Sequence, residues 1–219
     1  MMSALIRRDI RLISRSPAMW LSALVFFALF LALCAIALGG DSRVLRPLAP
    51  ALVWLAVLFS LLLSFNSLFQ SDFEDRSMEQ LVLSGTGTAR IVLSRGIAFF
   101  LCIFLPLLIA VPLAGSALAL PAQAIAGLTL SLGFSAPALT AYGLMTAAMM
   151  AGRPQSGFLS ILITAPLLIP VLIFGVAAVD SYALNGLSGA EFKALAGISL
   201  IGCAIGIPAA AAALSTNLE

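Results

Sequence analysis

Charged residues in this chain fall in short clusters separated by long gaps, and the gaps decide what the chain can fold into. No Asp, Glu, Lys or Arg occurs in residues 16–40, 47–71, 96–152, 154–179 or 194–218. Four of these stretches are each about 25 residues long, enough for one membrane-crossing helix of roughly 20 residues with margins. The stretch 96–152, about 57 residues, holds two crossings, with Pro112, Gly115, Ser116 and Pro121 supplying the turn between them. A closed barrel is the only other backbone that crosses lipid. It needs short strands alternating apolar and polar, and runs such as 21–38 and 48–63 show no alternation. Charged residues make up 9% of the 219, against roughly 25% in a soluble domain. That is too few to coat a water-facing surface. The expected fold is an all-α integral membrane protein, a single transmembrane domain over 1–219. Its spans are expected near 19–38, 48–69, 91–114, 122–150, 158–179 and 194–214. The first apolar run is longer than a signal-peptide core of roughly 7–15 residues and is expected to remain as an uncleaved anchor.

With the N-terminus placed inside, Arg7, Arg8, Arg11, Arg15, Arg76, Arg90, Arg95 and Arg153 are cytoplasmic, and Arg43, Arg46 and Lys193 are outside. Eight against three is a positive-inside bias, and six spans return the C-terminus to the cytoplasm. Residues 4–15 read as a short amphipathic helix. Leu5, Ile6, Ile10 and Ile13 form the apolar stripe, while Arg7, Arg8, Arg11 and Arg15 suit anionic headgroups in the membrane interface. A topology signal that happens to be helical is the other reading of the same residues.

The sequence excludes several kinds of chemistry. It contains no histidine, and Cys34, Cys102 and Cys203 each stand alone in a different span. No metal-ligand spacing, cysteine pair or phosphate-binding Gly-x-x-x-x-Gly-Lys-Ser/Thr motif occurs. No catalytic residue, metal site or resident cofactor is therefore expected. The spans carry no acid or base near mid-depth, where ion-coupled transporters place them. A transport function for this chain would draw its energy from elsewhere. Pro166 and Pro170, with Thr164, mark a candidate gating bend in the fifth span.

One segment stands apart. Residues 71–85 hold Asp72, Glu74, Asp75 and Glu79, four of the nine acids, on the side otherwise marked by arginine. Ser71 with Glu74 fits a capping box, Gly85 fits a C-terminal stop, and Met78, Leu81 and Val82 share a helical face. The expectation is a short amphipathic helix at the membrane surface. It is either a solvated helix resting its apolar face on the bundle or a docking element for a soluble partner with a basic groove. In the docking reading, Asp72, Glu74, Asp75 and Glu79 meet the partner's basic residues. Phe73, Met78 and Leu81 fill an apolar cleft there or seat the helix on the bundle.

The stretch Leu68-Phe69-Gln70-Ser71-Asp72-Phe73-Glu74-Asp75-Arg76-Ser77-Met78-Glu79-Gln80-Leu81-Val82-Leu83-Ser84 resembles the signature loop of the CcmB family. Ala165-Pro166-Leu167-Leu168-Ile169-Pro170-Val171-Leu172-Ile173-Phe174-Gly175 is similar to that family's fifth span, and Arg7-Arg8-Asp9-Ile10 also agrees. The resemblance covers nearly the whole chain. It departs at Arg76, where the family has glycine, and in Gly85-Thr86-Gly87-Thr88, which lacks a proline; both bear on local turn geometry. The resemblance implies an ABC-2-like permease, a half-size subunit that dimerises or pairs in the bacterial inner membrane. It would serve a heme exporter in cytochrome c maturation and leave ATP to a separate CcmA-like ATPase subunit. The docking element would then be the coupling helix, with Asp72, Phe73, Glu74, Asp75, Arg76, Met78, Glu79, Gln80 and Leu81 at the ATPase. Further implied partners are a heme-presenting CcmC-like subunit, a small CcmD-like subunit and a CcmE-like heme chaperone, with heme as the handled species and no nucleic acid. A non-transporting scaffold that assembles the other subunits is the alternative from another class.

Overall fold

The computed structural model describes residues 2–15, 17–65, 68–74, 77–83, 85–151 and 156–218. The side chains of 17–19, 71, 74, 156–161 and 218 lie outside that description. Every regular element among the described residues is helical: α1 (Met2–Arg15), α2 (Pro17–Ala37), α3 (Ser42–Phe65), α4 (Gln70–Glu74), α5 (Ser77–Leu83), α6 (Thr88–Phe99), α7 (Leu105–Ala117), α8 (Ala122–Met150), α9 (Ser156–Asn185) and α10 (Ala190–Leu218). A π turn, Phe100–Phe104, joins α6 to α7 into one span, and a short 3-10 turn, Gly186–Ser188, follows α9. Six of these units are long and apolar enough to cross a membrane. Both chain ends therefore lie at one end of the bundle, with α1, α4 and α5.

Local chemistry sets the boundaries. After α2, Gly39 and Gly40 adopt positive φ, and Gly40 N donates back to Ala35 O at 2.9 Å, closing the helix with glycines as left-handed stops require. Asp41 Oδ1 then accepts the Arg43 backbone N–H at 2.8 Å, an N-cap. For this reason α3 begins at Ser42, six residues before the expected start at 48, and carries Pro47 and Pro50 inside it. It ends at Phe65 rather than at 69. In the third span Leu105 N–H reaches past the usual partner to Phe100 O. The next residue, Pro106, has no N–H to give and falls in the first turn of α7, where a proline costs least.

The centre of the bundle is α3 and α8. The side chains of Trp54, Leu61 and Phe65 are fully buried. Trp54 Nε1 donates to Ser131 Oγ on α8 at 3.2 Å, so the indole is fixed while its ring lies flat on α9 at Gly175. A Cβ on Gly175 would come within 2.1 Å of that ring. The α8–α10 seam is built from small residues. A Cβ at Gly206 would meet the Ala141 carbonyl oxygen at 2.9 Å, and one at Gly202 would meet Ala138 Cα at 3.2 Å. Lipid gives helices no hydrophobic drive to associate, so close backbone approach and interhelical hydrogen bonds hold them. Ser199 Oγ to Phe134 O (2.6 Å) and Asn217 Nδ2 to Ala148 O (3.0 Å) supply the latter along this seam. α9 runs unbroken through Pro166 and Pro170, both exposed. Thr164 Oγ1, two residues before Pro166, donates to Thr146 Oγ1 of α8 at 2.8 Å.

Candidate functional site

The α1 helix packs chiefly against α6. Its inward line runs Leu5, Asp9, Ile13, at a spacing of four that stacks side chains on one face. Asp9 is fully buried, as is Ile13. A carboxylate in the middle of an apolar face survives only with partners. Ser94 Oγ on α6 donates to Asp9 Oδ2 at 2.5 Å. Arg8 Nη1 lies 3.1 Å from Asp9 Oδ1, and Arg95 Nη2 lies 3.5 Å from the same oxygen.

Arg95 is 2% exposed. Its Nη2 also donates to Asp72 Oδ2 on α4, and its Nη1 donates to Leu68 O, just after α3, at 2.8 Å. The guanidinium carbon lies 5.6 Å from the centroid of the Phe69 ring, within cation–π range. Arg8 Nη2 approaches Asp72 Oδ1 at 3.4 Å, and Ser77 Oγ at the start of α5 donates to that oxygen at 3.0 Å. Two acids and two arginines thus alternate, and their formal charges cancel. Neutrality makes burial of four charges tolerable, because desolvation is offset only where every carboxylate has cationic and hydrogen-bonding partners. One side chain of α6 holds α1, the α3–α4 connection and α4 at once. Only a planar fork does this, since an ammonium is a point charge.

Within the expected helix over 72–83, residues 70–74 (α4) and 77–83 (α5) are helical, and 75–76 between them lie outside the described residues. Ser71 lies in the first turn of α4, which starts at Gln70; the expected capping box rests on the Ser71 and Glu74 side chains, outside the described residues. Gly85 does stop α5. Its φ is positive, Gly85 N donates to Val82 O at 3.0 Å and Thr86 N to Leu81 O at 3.4 Å, the paired bonds of a Schellman end.

Asp72, expected on an outer acidic rim, is turned inward onto Arg95. Met78 is buried, while Phe73 and Leu81 are half-buried against the core. Of the expected docking residues, Glu79 and Gln80 face outward, and Leu83 beyond them is 86% exposed. Asp75, Arg76 and the Glu74 side chain lie outside the described residues. On α1, Arg7, Arg11 and Arg15 are exposed, while Arg8 is half-buried in the ion network rather than free for headgroups. Among the described residues, no group of three or more metal-ligating side chains is placed to hold an ion.

These features define an all-α, six-span integral membrane protein with an ionic joint at one end of its bundle. A family model described as "CcmB protein" matches residues 1–217. The chain is 44% identical over 185 residues to the heme exporter protein B of Pseudomonas aeruginosa, covering 84% of this chain and 82% of that one. It is 38% identical over 219 residues to the protein of that name in Bradyrhizobium diazoefficiens (100% and 99% covered). The Escherichia coli K12 protein of the same name is 32% identical over 214 residues (97% of each). The chain belongs to the CcmB family.

Proposed function

We propose that this chain is the membrane-spanning permease subunit of an ATP-driven heme exporter complex that serves cytochrome c maturation in the bacterial inner membrane. Its arginine-rich end, with α1, α4, α5 and both termini, faces the cytoplasm, as the positive-inside bias directs. The outward residues of α4–α5 receive a CcmA-like ATPase subunit. A second permease half and CcmC-like, CcmD-like and CcmE-like proteins complete the assembly and carry heme to the periplasmic side. One observation carries this reading. A helical surface segment too short to hold its form alone is tied by a buried arginine to a membrane-crossing helix, and it presents Glu79, Gln80 and Leu83 to the outside. An exposed surface mounted on a span is what a soluble energy source needs to act on a bundle that has no coupling charge of its own at mid-depth. The relatives' shared name supports heme as the handled species.

The test is copurification of the ATPase subunit in mild detergent. Asp75→Lys with Glu79→Lys should weaken association in a salt-dependent way, since rim charges steer encounter and are screened. Thermal unfolding of the variant should stay within about 0.5 kcal/mol of the parent, as the docking reading, which puts both acids on the surface, requires. Full association and full coupled ATP hydrolysis by the double variant at low salt would reduce α4–α5 to a solvated connection. A parent that binds the ATPase but leaves heme export independent of it would instead favour the scaffold alternative.

A further inference from the structure

Resting on that docking reading, we infer that Arg95 is a positioning residue which makes the α4–α5 surface, α1 and the third span move as one body. Through it, a nucleotide-driven displacement at the docking surface reaches the bundle by way of the Asp72–Arg95–Asp9 link.

Three observations carry the inference. The first is connectivity. Arg95 meets Asp72 and Leu68 O, 23 and 27 residues earlier in the sequence, and Asp9 on α1, so separate chain segments converge on one guanidinium. The second is the choice of chemistry. A buried ion network is a poor source of stability, and apolar residues of equal volume hold segments together as well or better. What the fork supplies instead is fixed direction, because its donors engage Asp72, Asp9 and Leu68 O simultaneously. The third is a second tie beyond the first. Cys102, in the π turn, lies with its thiol 3.9 Å from Ile10 O on α1. Thus α1 is fastened to the third span at two levels, and a push on Asp72 is delivered to α1 and α6 together rather than absorbed between them.

The measurement uses the complex of this chain with its ATP-hydrolysing subunit in lipid nanodiscs. Spin labels go on exposed positions of α1 (Arg11→Cys) and α10 (Thr216→Cys), with Cys34 and Cys203 changed to Ala and Cys102 to Ser, which keeps a donor toward Ile10 O. In the parent, trapping the complex with ATP should shift the distance distribution. In the neutral set Arg8→Gln, Asp9→Asn, Asp72→Asn, Arg95→Gln, the ATPase should stay bound while the shifted fraction falls about fivefold or more, the size of a typical coupling energy. Arg95→Lys keeps the charge without the fork and should show the same loss; it decides the matter if the neutral set does not fold. Variants that bind the ATPase and shift as fully as the parent overturn the inference, as does a parent that binds and never shifts. A parent that does not bind the ATPase at all sinks the docking reading itself, and the joint's role with it.

Discussion

The joint at Arg95 and the seam between α8 and α10 solve the same problem, holding helices together where water gives no help, by opposite means. At the seam nothing is charged. Gly202 and Gly206 let backbones approach until a single Cβ would collide with Ala138 and Ala141, and the hydrogen bonds present are short links from Ser199 and Asn217. At the joint four charged side chains meet between the helices. The seam specifies a distance and is indifferent to charge. The joint specifies which atoms face each other and fails when the count of charges changes. Contacts of the first kind suit parts that keep one spacing, and contacts of the second suit parts that must keep their orientation while the whole moves.

That contrast can be broken from the ionic side first. Arg95→Gln leaves Asp9 and Asp72 buried with too little positive charge and should cost about 3–5 kcal/mol, read as earlier unfolding in a detergent titration followed by circular dichroism. The full neutral set should cost much less than this single change, although it alters more residues. If the two cost the same, the network holds by packing rather than by charge balance. From the apolar side, Gly206→Ala should cost about 1–3 kcal/mol through overpacking. Its new methyl meets a backbone carbonyl that cannot swing away, so raising ionic strength should not alter the loss. Smallest is Trp54→Phe, which keeps most of the ring against Gly175 but leaves Ser131 without the indole donor. About 1 kcal/mol is expected for a hydrogen bond of this kind, and in the same unfolding assay a loss beyond that of Gly206→Ala would place Trp54 with the charged joint in importance.

Six spans were legible because hydrophobic length is a property of composition, and stretches of 25 uncharged residues admit few alternatives. Their ends were less so. α3 starts at Ser42 because Asp41 caps it, a local hydrogen bond that a stretch of uncharged residues beginning at 47 does not register. The joint went unread for a different reason: its members are far apart in the chain, and each has an innocent explanation alone. Arg95 passed as a topology arginine, and Asp72 as one of four surface acids. Asp9 did carry a signal. It sits midway between Leu5 and Ile13 on the inward line of an amphipathic helix, where a carboxylate demands a partner, but assigning the stripe to Leu5, Ile6, Ile10 and Ile13 hid it. The acidic cluster misled in turn, because like residue types in a row suggested a common destination, whereas Asp72 faces inward and Glu79 outward.

The π turn at Phe100–Phe104 bears on how the third span tolerates changes of length. In a regular helix, removing one residue rotates everything beyond it by roughly 100°, so a deletion in α8 would swing half of a central helix away from its neighbours. The π turn already accommodates one residue more than a regular turn needs. Losing a residue there would let the backbone relax to ordinary helical winding. α6 would still face α1 and α10, and α7 would still face α2, α3 and α8, its packing partners in this bundle. The third span is thus a crossing in which the loss of one residue can be absorbed locally, beside the joint and without re-aiming either half.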